Sequence, residues 1–322
     1  MKIFLTGASG FVGGAIAAEL SKRHEVVAMS RSEKSDPTIA ALGATPVRSE
    51  LGAVDPEQLR GVDVVIHCAA YVDQWGRRED FMRVTVEGTR QLLDAARRAG
   101  VQRFIHMGTE AALFAGQPMI EIDESYPYPA KHRYLYPESK AMAEQLVLAA
   151  NLAGVFETLS LRPRLVWGPG DKTVLPEVLA MIERGAFMWM DQGRHRTSTV
   201  HISNLVAATE LALTKGDGGK TYFITDDETT TFREFLTSLV QTRGVTPPAK
   251  SIPGKIARAL SVLVEGVWTI LRLRKEPPLT RFAAAIMSAE CTIRIDRAKS
   301  ELGYAPVISV AEGLKDLQAN PA

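Results

Sequence analysis

The chain has 322 residues, a formal net charge of +1 and only two cysteines, Cys68 and Cys291. Such a length suits one large domain or two unequal ones, and a near-neutral charge without a long basic stripe gives no case for a nucleic-acid partner. Two cysteines and six histidines, none at ligand spacing, exclude a disulfide framework and leave no metal site to expect. The chain opens directly on an apolar strand, so no signal peptide is expected and the cytoplasm is the default compartment.

That first strand, Lys2-Ile3-Phe4-Leu5-Thr6, runs into glycines at 7, 10 and 13 and then into a helix from Ala15 to Leu20. Glycine permits a tight turn, lets backbone approach a pyrophosphate, and lets helix pack closely on strand; the anion sits on free N–H groups at the helix N-terminus. Gly7, Ser9, Gly10, Phe11, Val12 and Gly13 are therefore candidate cofactor contacts. A second strand, Val26–Met29, completes a βαβ unit, and a ribose-binding Asp or Glu is expected at its end. Ser30-Arg31-Ser32-Glu33-Lys34 stands there instead. A carboxylate would repel a 2′-phosphate, whereas Arg31, with Lys34 nearby, offers it a charge-assisted fork. NADP(H) is favoured, with NAD(H) left open if Arg31 is merely a solvated loop residue.

Pro46-Val47-Arg48 reads as a short third strand, and Glu50 and Leu51 beyond it are placed to flank an adenine. Asp55 and Pro56 make a helix start. Val62–Ile66 reads as a buried parallel strand ending in His67-Cys68-Ala69-Ala70. Cys68, Ala69 and Ala70 are small enough to admit a cofactor at the strand's C-terminal end, and His67 and Cys68 read as packing residues. A long helix is expected over 80–100, with Val84, Val86, Leu92, Leu93 and Ala96 on its apolar side. The next strand, Arg103–Met107, delivers Gly108-Thr109-Glu110 to the edge where the glycine turn lies. A helix from Tyr136 to Leu146 carries Pro137 in its first turn, and a strand over 157–161 ends in Arg162-Pro163.

From Leu165 to Asp171 the chain leaves the sheet. A strand and a helix over 197–213 are expected to return to it, and Thr221–Ile224 is its last strand. Thr231 and Glu234 form a capping box. The expectation is an α/β fold: a doubly wound parallel sheet over 1–165 and 195–226, with a smaller C-terminal substrate-binding domain over 166–194 and 227–322. Within the latter, residues 256–273 are strongly apolar and followed by Arg272, Arg274 and Lys275. The stretch falls short of the ~20 apolar residues a membrane span needs. It reads either as a helix packed onto the substrate pocket or as an amphipathic helix on a membrane surface.

Hydride transfer to a ketone leaves an alkoxide that must be protonated. Tyrosine can supply the proton, though its unperturbed pKa is ~10, and a nearby ammonium lowers that value. Tyr136 is the only tyrosine of seven with a lysine four residues on, Lys140, which places both on one face of a helix. Thr109 adds a hydroxyl for the substrate oxygen. Tyr134, with Glu138 at the same spacing, is expected to face elsewhere.

Together, Thr6-Gly7-x-x-Gly10-x-x-Gly13, His67-Cys68-Ala69-Ala70, Thr109, Tyr136-x-x-x-Lys140, Leu161-Arg162-Pro163, Trp167-Gly168-Pro169-Gly170-Asp171 and 199–205 resemble the extended short-chain dehydrogenase/reductases. The resemblance runs from residue 1 to about 225 and weakly to Leu302-Gly303-Tyr304. It implies that Tyr136 is the acid/base, that Lys140 orients the cofactor ribose and tunes Tyr136, that Thr109 binds the substrate oxygen, and that Pro163 lines the nicotinamide side. A homodimer is implied on the same ground. Val72-Asp73-Gln74-Trp75-Gly76 and Thr197-Ser198-Thr199-Val200-His201 look most like the 3β-hydroxysteroid dehydrogenase branch, which includes 2-alkyl-3-oxoalkanoate reductases. That branch implies a 3-hydroxy/3-oxo oxidoreductase acting on an apolar, steroid-like or fatty-acyl-like substrate. Thr85 departs from the family's usual asparagine there, and Thr109 from its usual serine.

Two other readings compete. A sugar-nucleotide epimerase or dehydratase would share the fold, but Arg196 is one place from where such enzymes grip a diphosphate. Trp167, Phe187, Met188, Trp189 and Met190 suggest an apolar guest, unless they are ordinary core. A non-catalytic nucleotide-binding regulator is the second, disfavoured by the intact Tyr136, Lys140 and Thr109.

Overall fold

A computed structural model describes residues 1–273 and 275–319; Arg274, named above among the basic residues, lies outside them. Seven parallel strands form the main sheet. In chain order these and the flanking helices are β1 (Lys2–Thr6), α1 (Phe11–Leu20), β2 (Glu25–Ser30), β3 (Thr45–Arg48), β4 (Val64–His67), α2 (Gly88–Arg98), β5 (Arg103–Met107), α3 (Leu135–Ala149), β6 (Glu157–Pro163), α4 (Ile202–Ala212) and β7 (Thr221–Ile224). Their spatial order is β7-β6-β5-β4-β1-β2-β3, a doubly wound sheet whose direction reverses beside β1. An open sheet of this kind binds its ligands at the C-terminal ends of the strands, next to that reversal.

The central strands are buried on both faces, which is why they read as continuous apolar runs. Ile3 and Leu5 of β1, Ile66 of β4 and Ile105 of β5 pack against α1 and α4 through Ile16, Ala17, Leu205 and Ala208. Phe4, Val65 and Phe104 point to the other side and meet Leu92, Leu93 and Ala96 of α2 and Val147 of α3. Register carries Thr6 beside His67, His67 beside His106, and Met107 beside Leu161. The C-terminal ends of β1, β4, β5 and β6 therefore form one edge.

Two expectations are corrected and one open reading is decided. The segment after residue 195 does not return to the main sheet as a strand: Arg196–Ser198 enters a four-stranded sheet with Thr229–Thr231, Cys291–Ile293 and Met119–Ile122. Val200–His201 pairs instead with Val166–Trp167, and only α4 goes back to the main sheet. The 80–100 helix starts at Arg78 and contains a π-turn over Met82–Glu87, where Phe81, Thr85 and Thr89 are buried while Val84 and Val86 are half-exposed. Thr89 donates to the Thr85 carbonyl at 2.6 Å, and Thr85 accepts the Tyr71 N–H at 3.0 Å. The widened turn thus supports the loop after β4, a common use of π-bulges. Of the two readings of Trp167, Phe187 and Trp189, pocket or core, the packing favours core. They are buried with Phe232, Phe235 and Leu236 in a core of their own, and the two indole N–H groups are bonded to Asp226 and the Pro248 carbonyl.

Beyond this core, α5 (Gly254–Ile270) packs beside α6 (Arg281–Met287). Among the described residues no helix is long and apolar enough to cross a membrane.

Candidate active site

The turn after β1 is shaped by close backbone approach. Gly7 takes φ +80°, and Gly10 N–H closes the turn on the Gly7 carbonyl at 2.9 Å. A Cβ on Gly13 would come within 2.3 Å of that carbonyl oxygen, and one on Gly7 would touch the Cys68 and Ala69 backbone at 3.0 Å. No side chain caps α1 at Gly10, and no acidic residue stands in its first turn. Its N–H groups are left for an anion, the arrangement a dinucleotide pyrophosphate requires. Ser9 is exposed at the mouth, Phe11 and Val12 are half-buried, and Gly170 approaches the Phe11 ring.

The loop opposite is fixed by a buried histidine. Thr89 gives its proton to the Thr85 carbonyl, so at 2.9 Å it must accept from His67 Nε2–H. His67 Nδ1 is then the acceptor for the Thr6 hydroxyl at 2.8 Å, and the same Thr6 oxygen receives the Ala69 N–H at 3.1 Å. Burial pushes His67 down to about 3, so it stays neutral and structural. Burial also raises the Cys68 thiol to about 12, which makes it inert beside Ala69 and half-buried Ala70.

At the end of β2, Arg31 and Lys34 are exposed. Arg31 lines a surface cavity of about 490 Å³ with Arg48, Ser49, Glu50 and Gln58; Lys34 is outside that lining. The Asp36 carboxylate is engaged by Ser30 at 2.5 Å and Arg48 at 2.6 Å, and the cavity lining also carries the Glu50 carboxylate. Leu51 turns inward against Gly88, whose missing side chain it fills. Pro163 is buried at the end of β6.

At the end of β5, α3 brings Tyr136 and Lys140 to the same edge. Lys140 is buried and donates to the Met107 carbonyl at 2.6 Å. Burial draws it down to about 8, with the Glu144 carboxylate one turn on opposing that fall. Tyr136 departs from the sequence-based expectation. Burial holds its phenol above the ordinary value, Glu110 adds to the rise, and a hydrogen bond with Thr109 offsets part of it. Lys140 has its ammonium on the Met107 carbonyl instead.

Two buried ion pairs were missed by sequence reasoning. Thr109 donates to Glu110 Oε2 at 2.9 Å, and the other Glu110 oxygen accepts from Arg164 at 2.5 Å. Arg164 in turn bonds Thr197 in the four-stranded sheet at 3.1 Å. With its one proton on Glu110 and the Ala111 N–H on its oxygen at 3.2 Å, Thr109 can donate to a substrate oxygen only by turning away from Glu110. Behind Lys140, Glu144 accepts from Tyr128 at 2.6 Å, Ser160 at 2.7 Å and Arg162 at 2.7 Å. Gly108 makes room for this cluster; a Cβ there would meet the Ser160 hydroxyl at 2.5 Å. The acid one residue after Thr109 and the acid one turn after Lys140 were the available signals.

The wall over Tyr136 is aromatic. Phe282 of α6 lies 5.7 Å from the Tyr136 ring and 5.6 Å from Tyr134, which is stacked on Phe114 at 6.0 Å. Tyr134 thus joins the site wall, contrary to expectation.

A glycine cradle for a dinucleotide, set against a half-buried tyrosine and a buried lysine on one helix, defines a nicotinamide-dependent oxidoreductase acting on CH–OH groups. The model of the 3-beta hydroxysteroid dehydrogenase/isomerase family matches residues 4–253, and the chain belongs to that family. It is 39% identical over 326 residues to a 4-hydroxy-2-methyl-3-oxo-4-farnesyl-3,4-dihydroquinoline-1-oxide ketoreductase of Stigmatella aurantiaca, covering 100% of this chain and 97% of the relative. To a 2-alkyl-3-oxoalkanoate reductase of Stenotrophomonas maltophilia (strain K279a) it is 35% identical, covering 100% of both. Among solved structures, MoeE5 in complex with UDP-glucuronic acid and NAD superposes with a TM-score of 0.75 at 21% identity, covering 99% of this chain and 98% of that one. That likeness concerns the fold.

Proposed function

We propose that the chain is an NADP(H)-preferring oxidoreductase that interconverts a ketone and a secondary alcohol at a 3-oxo/3-hydroxy position of an apolar substrate. The observation that carries the reading is the convergence of Tyr136, Lys140 and Thr109 at the end of β5, beside the glycine cradle. When bound, a nicotinamide dinucleotide supplies the hydride chemistry. Gly7, Ser9, Gly10, Phe11, Val12 and Gly13 hold its pyrophosphate, Glu50 and Leu51 flank the adenine, Cys68, Ala69, Ala70 and Pro163 line the crevice, and Lys140 takes the ribose hydroxyls.

Tyr136 acts as the acid in the reductive direction. Burial and the Glu110 charge keep its proton on the phenol at neutral pH, so the proton is available to an oxygen that gains negative charge. Thr109 stands beside the Tyr136 phenol, and Phe282 of the aromatic wall lies 5.7 Å from the Tyr136 ring. Phe282, Tyr134 and Phe114 supply apolar and aromatic surface rather than the hydrogen-bonding groups a polyhydroxylated guest needs. The substrates in the relatives' names, a farnesylated quinoline oxide and a 2-alkyl-3-oxoalkanoate, agree with such a wall.

Preference for NADP(H) rests on Arg31, which lines the cavity at the end of β2, and on the engagement of Asp36 there by Ser30 and Arg48. The test is NADPH and NADH oxidation with long-chain 2-alkyl-3-oxo acids, 3-ketosteroids and a UDP-hexose. Turnover of the first or second class with NADPH is expected. Activity confined to the sugar nucleotide would overturn the assignment.

A further inference from the structure

Helix α5 is built inside out. At 100° per residue, its buried or half-buried positions, Gly254, Ala257, Arg258, Ser261, Val264, Glu265 and Trp268, fall on one continuous arc. The exposed positions fill the rest, and they carry the large aliphatic residues: Ile256 is 50% exposed, Val262 52%, Leu263 66% and Ile270 80%, with Leu271 at 61% just beyond. The inward arc holds the charges. Arg258 is spent on the Gly116, Ala285 and Ser288 carbonyls and the Ser288 hydroxyl, and Glu265 accepts the Arg281 N–H at 2.6 Å. An ordinary surface helix does the reverse, turning aliphatics in and charges out. The apolar core that holds α5 to the body is correspondingly small, Ala257 with Met190 and Ala284.

The width of the exposed arc and its charge select the occupant. It spans roughly half the circumference, wider than the two-in-seven seam through which one helix grips another in a coiled coil. Between Lys255 and Lys275, the exposed charged side chains among the described residues are Lys255 in the first turn and Arg272 and Lys275 just past the last, all cationic, with the exposed Glu276 following them. A wide apolar face closed at each end by cations fits the boundary between acyl chains and anionic headgroups. With 17 residues the helix is about 25 Å long and can lie flat in that plane.

Its position gives the contact a purpose. The helix packs on α6, whose Phe282 forms the wall over Tyr136, and Trp75 of the loop after β4 donates to the Leu273 carbonyl at 3.2 Å. We propose that the exposed face of 256–273 docks on an anionic lipid bilayer, from which an apolar substrate passes beside α6 to Tyr136. The second part rests on the ketone reductase reading above; the docking does not.

The experiment combines flotation and kinetics on the whole protein. Wild type is expected to float with phosphatidylglycerol-containing vesicles and to bind phosphatidylcholine vesicles at least ~10-fold less. The double variant Leu263→Glu, Ile270→Glu should lose flotation and show a KM at least ~10-fold higher for a long-chain 3-oxo substrate presented in vesicles. Its kinetics on a short, water-soluble ketone should be unchanged, which also reports intact folding. Wild type that fails to float overturns the proposal. So does sedimentation showing that the variant turns a dimer into a monomer, because the face then belongs to a second copy. An unchanged KM for the vesicle-borne substrate removes the delivery step. Flotation without turnover of any ketone strikes at the reductase reading and leaves the docking standing.

Discussion

The glycine turn after β1 and helix α5 answer the same packing problem in opposite ways. At the turn, a Cβ on Gly13 has 2.3 Å to the Gly7 carbonyl, and the facing loop is held by the Thr6, His67 and Thr89 hydrogen bonds. The Thr6, His67 and Thr89 side chains are satisfied from within the chain, while the N–H groups at the start of α1 are left for an anion. At α5 the inward side is small and polar, while Leu263 and Ile270 face out. Interiors tolerate little change in volume, whereas an exposed side chain contributes little to stability until something covers it. On the proposals above, the first region defines what the chain binds in order to react, and the second where the chain is placed.

Substitutions sharpen this contrast, in descending order of effect. Gly13→Ala forces the turn open and should weaken NADPH binding by about 100-fold or more, since the N–H array is displaced; titration calorimetry measures it, and unchanged affinity would refute the cradle. Glu144→Ala leaves Arg162 buried without its carboxylate and should cost about 3–5 kcal/mol in urea unfolding. Its loss should also draw Lys140 below about 8, because Glu144 opposes the effect of burial on that amine.

The titration of Lys140 gives a third test. In the free enzyme, kcat/KM for NADPH should fall as pH rises through about 8, because the ammonium that meets the ribose loses its proton; Lys140→Met should lack that limb. The stability effect has the other sign. The folded value lies below the ordinary 10.5, so the unfolded chain holds the extra proton between about 8 and 10.5, and this residue's contribution to stability improves across that window as pH rises. Arg31→Asp should raise the KM for NADPH by about 10-fold and leave that for NADH nearly unchanged; equal effects would remove the 2′-phosphate role. Smallest of all, Leu263→Glu should alter urea unfolding by no more than about 0.5 kcal/mol. A large loss would mean that the face is part of the protein's own core.

The sheet and the cradle were legible because their signals are local: apolar strand, glycines at fixed spacing, helix. Tyr136 and Lys140 were legible because four residues on a helix bring two side chains together. What escaped depends on long-range pairing. Arg164 reaches Glu110 across 54 positions and Arg162 reaches Glu144 across 18, and no spacing rule links them. The fate of 196–198 escaped for a similar reason, since its partners, Thr229–Thr231 and Cys291–Ile293, lie far along the chain. The aromatics at 167, 187 and 189 could be read as pocket or core, and only packing places them in core. For 256–273 the sequence showed an apolar stretch but not which side faces out.

The role of Tyr136 can be tested in a single turnover. With enzyme saturated by NADPH and mixed with a long-chain 2-alkyl-3-oxo acid, wild type should consume the NADPH absorbance in one exponential phase. Tyr136→Phe, at matched cofactor occupancy, should slow that phase by about 100-fold or more, the contribution expected of a lost general acid. An equal rate in both proteins would contradict Tyr136 as the proton donor and, with it, the hydride-transfer reading of the site.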